Sequence, residues 1–170
     1  MGSEMCIRDS NIHKREIDMP KIKLEEILKT LSTDNDLIWP TEKWPAMKFD
    51  STIKVGARGG HGPIRYSVEK YKPSEIIQFR FLKPNIGIHK FEINEITTEK
   101  TEIKHTINMT TAGKGTLIWL FAIRPLHNAL IQDAFDKVEN NFAKTKKVSK
   151  WNFWVKFLRK QNIKRKGLKN

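Results

Sequence analysis

Apolar and polar side chains alternate with a period of two from Ser51 to Met109. Turn-forming residues divide this region into short apolar series, and each series predicts one strand. The predicted strands are Ile53–Val55, Ile64–Val68, Ile77–Phe81, His89–Ile93 and Ile103–Met109. Such alternation is typical of an antiparallel sheet with one buried and one solvated face, and the short connections predict that consecutive strands pair as a meander.

Helical spacing is found after the first strand and again after the meander. Asn11–Met19 is predicted to be a short edge strand ending at Pro20, and Lys21–Leu31 a short amphipathic helix. From Leu117 to Val138 apolar residues repeat every three or four positions, which predicts one long helix. Pro125 is expected to kink or divide it, because proline lacks the N–H of the helical hydrogen bond. This order predicts an α+β fold with the long helix packed on the apolar face of the sheet.

Two further segments have less regular patterns. Ser32–Asp50 contains Trp39-Pro40 and Trp44-Pro45, and we expect no regular structure there because prolines interrupt hydrogen-bonded ladders. The glycine-rich segment Gly59–Gly62 lacks the lysine and the following helix of a phosphate-binding loop. We therefore expect it to form a hairpin turn, where glycine readily adopts positive φ.

The composition indicates a single domain without a disulfide framework. The chain has 170 residues, of which 38% are hydrophobic and 30% charged, so it can bury a core without cross-links. Its single cysteine, Cys6, excludes a disulfide scaffold and a multi-cysteine zinc site. The longest apolar run, Leu117–Ile123, is too short to cross a bilayer, which takes roughly 20 residues.

The two ends of the chain are expected to lie outside the domain. Residues 1–10 read like a translated cloning or adapter sequence, and no signal-peptide pattern is present, so we expect a cytoplasmic location. The domain is then residues 11–143, followed by a tail at 144–170. The tail holds eleven Lys and Arg residues and no Asp or Glu, which accounts for most of the net charge of +13. Because the body is nearly neutral, nucleic acid is disfavoured as its partner.

The tail combines these basic residues with aromatic ones. On a helix, Trp151, Trp154, Val155 and Leu158 would share one stripe. A basic amphipathic helix with aromatic residues suits the surface of an anionic membrane. The candidate residues for that contact are Trp151, Trp154, Lys156, Arg159 and Lys160. The alternatives are nucleic-acid binding, and simple docking of the aromatic residues on the domain.

Three motifs of this chain stand out: Trp39-Pro-x3-Trp44-Pro-x-Met47, the glycine-rich segment Val55–Tyr66 and Arg124-Pro-Leu-His-Asn-Ala-Leu130. Together they resemble the SRPBCC group, which includes START-like, polyketide-cyclase and lipid-transport-like proteins, and the resemblance spans residues 11–158. The resemblance implies the helix-grip fold: a curved antiparallel sheet of about six strands wraps around a long C-terminal helix and encloses an apolar cavity. One or two short helices would follow the first strand. It also implies binding of hydrophobic small molecules, on which the aromatase/cyclases of the group act, but no shared catalytic residues.

Two histidines on the predicted apolar face are the candidate polar groups of such a cavity. His105 alternates in phase with Ile103 and Ile107, and His89 alternates in phase with Phe91. Each could anchor a ligand, act as a general acid or base, or be a core histidine with one hydrogen-bond partner. No carboxylate shares their face, so a zinc site would be incomplete, and we expect neither a metal nor a cofactor.

We expect a hydrophobic or amphipathic small molecule to bind between the sheet and the long helix. The predicted lining residues are Trp44, Tyr66, Phe79, His89, His105 and Trp119. One alternative is a cyclase- or hydratase-like enzyme in which His105 or His89 transfers a proton. Another is a module that the tail recruits to a membrane surface.

Arg124 and His127 flank Pro125 in the predicted long helix. They could hold an acidic group of a ligand, or a helix carbonyl that the proline leaves without a partner. We favour a structural role, in which Arg124 pairs with a carboxylate such as Asp50 or Asp133.

Overall fold

Seven antiparallel strands form a single curved sheet. The computed structural model describes the backbone of residues 6–167 and the side chains of residues 7–161. The strands are β1 (Cys6–Ile17), β2 (Met47–Phe49), β3 (Arg58–His61), β4 (Ile64–Lys72), β5 (Ile76–Phe81), β6 (Ile86–Thr97) and β7 (Lys100–Ala112). Their order is β1-β7-β6-β5-β4-β3-β2, so β2 to β7 form a meander and β1 lies at the edge beside β7. The predicted α+β helix-grip layout is confirmed, with seven strands in place of about six.

The helices follow the predicted order. The long helical region consists of α2 (Lys114–Ile118), a π-helical segment (Trp119–Ile123) and α3 (Arg124–Asn140), while α1 (Lys21–Lys29) follows β1 and α4 (Phe153–Gly167) lies in the tail. Pro125 stands in the first turn of α3, where its missing N–H is tolerated, and the helix continues into α3 from a π-helical segment that ends just before it. Within residues 6–167, none of the helices combines the length and the apolar character that crossing a bilayer requires.

The apolar stripe of the long helix is only partly buried. Phe135 and Val138 of α3 are fully buried, but Leu117 and Phe121 are 58% and 62% exposed, so the predicted stripe is wrong before Pro125. A π-helical turn holds about one residue more than an α-helical turn, and each α-helical residue advances by roughly 100°. The π-helical segment therefore rotates the residues before it away from the sheet.

Two predictions between α1 and β4 are wrong. Ile53–Val55 is not a strand, because the alternation covers only two apolar positions before Gly56, at φ 90°, turns the chain. The loop predicted from the proline-rich sequence contains the short strand β2, whose Met47 pairs with His61. β2 begins two residues after Pro45, so no proline interrupts its ladder.

The glycine-rich segment forms the β3–β4 hairpin, as predicted. Gly62, at φ 53°, and Pro63 make the two-residue turn, while Gly59 belongs to β3 and pairs with Tyr66. A Cβ atom at Gly59 would lie 2.7 Å from the ring carbon Cδ1 of Phe49. Glycine at this position therefore lets the Phe49 ring pack against Tyr66, at 5.8 Å between ring centres.

Strand β1 reaches further toward the N-terminus than the predicted edge strand. It pairs with β7 from Cys6 opposite Ala112 to Ile17 opposite Thr101, so residues 6–10 belong to the sheet. This differs from the prediction that residues 1–10 lie outside the domain; residues 1–5 lie outside the described part of the chain.

Candidate functional site

The strand register brings several rings together on the buried face of the sheet. His105 on β7 pairs with His13 on β1 and with Phe91 on β6. His89 lies two residues before Phe91 and faces the same side, because alternate residues of a strand share a face. His89 in turn pairs with Phe79 on β5. Both histidines singled out in the sequence are therefore buried here, with exposed fractions of 3% for His89 and 1% for His105.

Helix α3 adds another imidazole to this face. The ring centre of His127 lies 5.0 Å from that of His105 and 6.0 Å from that of His13. The ring centres of His105 and His89 are 5.7 Å apart. We refer to His13, His127, His105 and His89 as the histidine row.

The fifth histidine of the chain, His61 on β3, is connected to this row through Tyr66. Nδ1 of His61 lies 3.1 Å from the hydroxyl oxygen of Tyr66. The Tyr66 ring packs edge-on against His89, with 4.7 Å between ring centres. All five histidines thus meet on one face, four directly and one through a tyrosine.

The histidines differ in their hydrogen-bond partners. Nε2 of His13 lies 3.1 Å from the side-chain oxygen of Asn128, and its Nδ1 lies 3.4 Å from the side-chain nitrogen of Gln132. In contrast, three buried ring nitrogens have no partner within the described part of the chain: Nε2 of His89, Nδ1 of His105 and Nδ1 of His127. Buried polar atoms without a partner are few in natural proteins, so three of them on one face require an explanation.

Burial keeps these imidazoles neutral at physiological pH. It lowers the pKa of His127 to about 3 and the pKa of His61 to about 4, and it holds the pKa values of His89 and His105 well below the ordinary value of 6.5. Neighbouring histidines lower the pKa values of His89, His105 and His127 further, because one charged imidazole would repel the next. A neutral imidazole has one donor and one acceptor nitrogen, so this face offers hydrogen bonds rather than charge.

Aromatic rings surround the unpartnered nitrogens. The Phe79 ring stacks on His89 at 4.6 Å between centres, and the Phe81 ring stacks on His89 at 5.2 Å. Phe91 packs edge-on against His105 at 4.6 Å. The immediate surroundings of the histidines are therefore apolar, and they are filled by the chain's own rings.

The same architecture occurs in proteins of known structure. Norcoclaurine synthase from Thalictrum flavum superimposes with a TM-score of 0.63 at 10% identity, over 86% of this chain and 100% of that chain. A point mutant of that synthase, in complex with a transition state analogue, superimposes with a TM-score of 0.61 at 11% identity, over 82% of this chain and 98% of that chain. CalU16 from Micromonospora echinospora superimposes with a TM-score of 0.55 at 10% identity, over 94% of this chain and 91% of that chain.

These likenesses, together with the grip of the sheet on the long helix, decide the fold. The chain has the SRPBCC-type helix-grip fold. No protein-family model and no curated protein matches the sequence. At such low identities the likeness of the SRPBCC-type structures extends to architecture and not to chemistry.

Four of the six predicted lining residues meet on this face of the SRPBCC-type fold: Tyr66, Phe79, His89 and His105. Trp44 lies elsewhere, since its indole N–H donates a 2.8 Å hydrogen bond to Asp133 and its ring packs edge-on against Trp151. Trp119 lies toward one end of β1, where its indole N–H donates a 2.6 Å hydrogen bond to Asp9. Both tryptophans bind buried or half-buried carboxylates and connect separate segments of the chain.

Three histidines on this face were not predicted to line the site: His13, His61 and His127. His13 lies four residues before Ile17 and therefore shares its face of β1. The alternation along β1 was thus sufficient to predict that His13 faces the sheet's buried side. His61 had no such signal, because its inward direction depends on the register between β2 and β3. His127 was assigned a structural role, and its distance from His105 depends on how α3 crosses the sheet.

Arg124 forms an ion pair, but not with either of the predicted carboxylates. Nη1 of Arg124 lies 3.6 Å from a carboxylate oxygen of Asp9, and neither Asp50 nor Asp133 contacts it. Asp9 was overlooked because it belongs to the segment that we placed outside the domain. The pairing depends on the extension of β1 to Cys6, which places Asp9 in the sheet.

The five predicted membrane-contact residues of the tail divide into two groups. Trp151 and Arg159 pack on the domain: the Trp151 indole donates a 2.9 Å hydrogen bond to Asp133, and the Arg159 guanidinium lies over the rings of Trp44 and Trp151, at 4.2 and 4.9 Å. The other three face solvent: Trp154, Lys156 and Lys160.

A separate groove of about 310 Å³ lies between α3 and the segment that leads to α4. Its lining is charged and includes Lys43, Lys137, Asp136 and Lys147, so it does not suit an apolar ligand. Nor do any three His, Cys, Asp or Glu side chains among the described residues stand close enough to hold a metal ion. The face around the histidine row therefore remains the candidate site.

Proposed function

We propose that this protein binds a hydrophobic small molecule that carries a hydroxyl or carbonyl group, between the sheet and α3. The observation that carries this proposal is the three buried, unpartnered nitrogens of His89, His105 and His127. Each such atom costs about 1–3 kcal/mol of folding free energy. A polar group of a ligand would supply the missing hydrogen bonds, while the rings around it would contact the apolar part.

The fold supports this reading. The norcoclaurine synthase mutant of the same architecture was solved in complex with a transition state analogue, so a helix-grip protein can hold a small molecule. In this chain the rings of Phe79 and Phe81 lie directly on His89. Binding would therefore require at least one of these rings to move to another rotamer, which is a small change at the side-chain level.

Binding is favoured over the enzyme alternative by the charge state of the histidines. A general acid or base works best with a pKa near the working pH. Burial lowers the pKa of His127 to about 3 and holds the pKa values of His89 and His105 well below 6.5, which makes them poor proton donors and weak bases at neutral pH. Hydrogen bonding from neutral imidazoles requires no such titration.

The first test is native mass spectrometry of freshly purified protein, with N-phenyl-1-naphthylamine as an apolar fluorescent probe for binding. We expect either a co-purified small molecule or saturable binding of the probe. Where a molecule co-purifies, adding it back should displace the probe. The absence of both would contradict the proposal.

The second test compares His105→Phe with His13→Phe. Removing the unpartnered nitrogen of His105 should raise the stability of the free protein and weaken binding of the probe or of the extracted molecule. The His13 nitrogens are already partnered, so His13→Phe should lower stability and weaken binding much less than His105→Phe does. If His105→Phe raises stability without any effect on binding, the histidines are core residues only and the proposal fails.

A further inference from the structure

The start of the long helical region exposes large apolar side chains. Leu117, Ile118 and Phe121 are 58%, 56% and 62% exposed. They lie in α2 and the π-helical segment, which the π-helical turn rotates away from the sheet. These exposed side chains are neighbours in sequence, unlike the scattered single apolar residues that are ordinary on protein surfaces.

Helix α4 extends this exposed surface. Phe153, Trp154 and Phe157 are 82%, 43% and 41% exposed, and the rings of Trp154 and Phe157 stack at 5.4 Å. The indole N–H of Trp154 donates a 2.7 Å hydrogen bond to the backbone oxygen of Phe121, which joins the two elements. We call Leu117, Ile118, Phe121, Phe153, Trp154 and Phe157 the apolar patch.

The opposite side of α4 fixes its orientation. Val155 is buried at 4% exposure, and the guanidinium of Arg159 lies over the rings of Trp44 and Trp151. Because this side of α4 packs on the domain, its aromatic side is left facing solvent beside the π-helical segment.

The segments that form the apolar patch are basic, and the carboxylate of Asp9 near them is paired with Arg124 and Trp119. The sequence contains no Asp or Glu between Glu102 and Asp133, and none after Glu139. The exposed side of the tail carries Lys156 and Lys160, and the tail as a whole has eleven basic residues. Exposed aromatic side chains bordered by lysines match the interface of a bilayer with anionic lipids.

We propose that the apolar patch docks on the surface of an anionic membrane, with its aromatic residues inserted at the headgroup level and the lysines of α4 against lipid phosphates. This proposal stands independently of the proposed ligand. A bilayer fits better than nucleic acid, because phosphate contacts would use the lysines but leave six large apolar side chains in water. The tryptophan also matches the preference of indole for membrane interfaces.

The test is co-sedimentation of the full chain with vesicles of phosphatidylcholine, alone or with about 30% phosphatidylserine. We expect binding to the mixed vesicles that decreases from about 0.1 M to about 0.5 M NaCl, because salt screens the attraction. Equal binding to both kinds of vesicle, or binding to neither, would overturn the proposal.

Paired variants separate the two components of the surface. Phe121→Ser combined with Phe153→Ser should weaken vesicle binding by about tenfold or more, because both side chains lose apolar contact with the bilayer. The matched control is Ile22→Ser combined with Ile86→Ser, two side chains that are each 61% exposed on α1 and β6. Lys156→Glu with Lys160→Glu should also weaken binding, whereas Lys48→Glu with Lys70→Glu on the sheet should not.

Two outcomes would assign the patch to a different partner. If a DNA duplex binds the chain with the same dependence on the lysines and no dependence on Phe121 or Phe153, the surface binds nucleic acid and the proposal is wrong. If the protein is a dimer in solution that the Phe121 and Phe153 variant dissociates, a second copy covers the patch and the proposal is also wrong.

Discussion

The indole N–H of Trp154 donates a hydrogen bond of 2.7 Å to the backbone oxygen of Phe121. In a regular α-helix that oxygen would accept from the N–H four residues later, but the residue there is Pro125, which has none. A side chain from α4 thus replaces the backbone donor that the proline removes from the long helix. The tail is therefore coupled to the part of the long helix that Pro125 interrupts in its hydrogen bonding.

This coupling is measurable with a double-mutant cycle. Trp154→Phe keeps an aromatic ring but removes the indole donor, and we expect it to lower the free energy of unfolding by about 1 kcal/mol. In a Pro125→Ala background the new N–H can serve Phe121, so the same change should cost less. Urea unfolding of the four proteins gives the coupling energy, and equal costs in both backgrounds would contradict the relationship.

The neutral histidines predict that stability depends on pH. His89 and His105 have folded-state pKa values well below 6.5, whereas they titrate near 6.5 in the unfolded chain. Below that pH the unfolded state binds protons that the folded state does not, so stability is complete above about pH 6.5 and falls as the pH decreases. Between the folded-state and unfolded-state pKa values, each fully buried histidine lowers the free energy of unfolding by about 1.4 kcal/mol for each unit by which the pH falls.

Unfolding free energies measured between pH 7.5 and pH 5 test this dependence, in a range above the titration of most carboxylates. The double variant His89→Phe with His105→Phe should show a clearly smaller slope than the unsubstituted chain. A stability that stays constant over this range would mean that the imidazoles accept protons in the folded state.

Asp133 holds three segments of the chain together. Its buried carboxylate accepts hydrogen bonds from Nζ of Lys43 at 2.7 Å, from the Trp44 indole at 2.8 Å and from the Trp151 indole at 2.9 Å. Asp133→Asn removes the charge that binds these donors, and we expect a loss of about 2–4 kcal/mol in urea unfolding. The exposed Asp34→Asn should change stability by less than about 0.5 kcal/mol. A loss no larger than that of the control would exclude this role for Asp133.

The hydroxyl of Tyr66 provides the polar contact of His61. Tyr66→Phe leaves the Nδ1 atom of His61 without a partner inside the core, which should cost about 1–2 kcal/mol. The double variant Tyr66→Phe with His61→Phe removes both polar groups, so it should be closer in stability to the unsubstituted chain than Tyr66→Phe alone. Thermal unfolding compares the three proteins, and a double variant that is the least stable of them would contradict this reasoning.

Much of the fold was predictable because strands and helices have local periods. The alternation around His105 and His89 placed both side chains on the buried face, and pairing with β5 and β7 did not change that assignment. Pro125 likewise lies directly after the irregular, π-helical part of the long helix. Local geometry decides these features, so neighbouring residues along the chain are sufficient to predict them.

The sequence by itself determined which faces of the meander are apolar, where a proline enters the long helix and that the tail is basic. The tertiary structure alone decided which histidines meet, because His13 and His105 are joined by the pairing of β1 with β7 and His127 approaches from α3. It also decided that Leu117, Ile118 and Phe121 face solvent, although they precede Pro125 in the apolar pattern. These results depend on contacts between residues far apart in the chain and on the extra residue in a π-helical turn, neither of which a local hydrophobic pattern records.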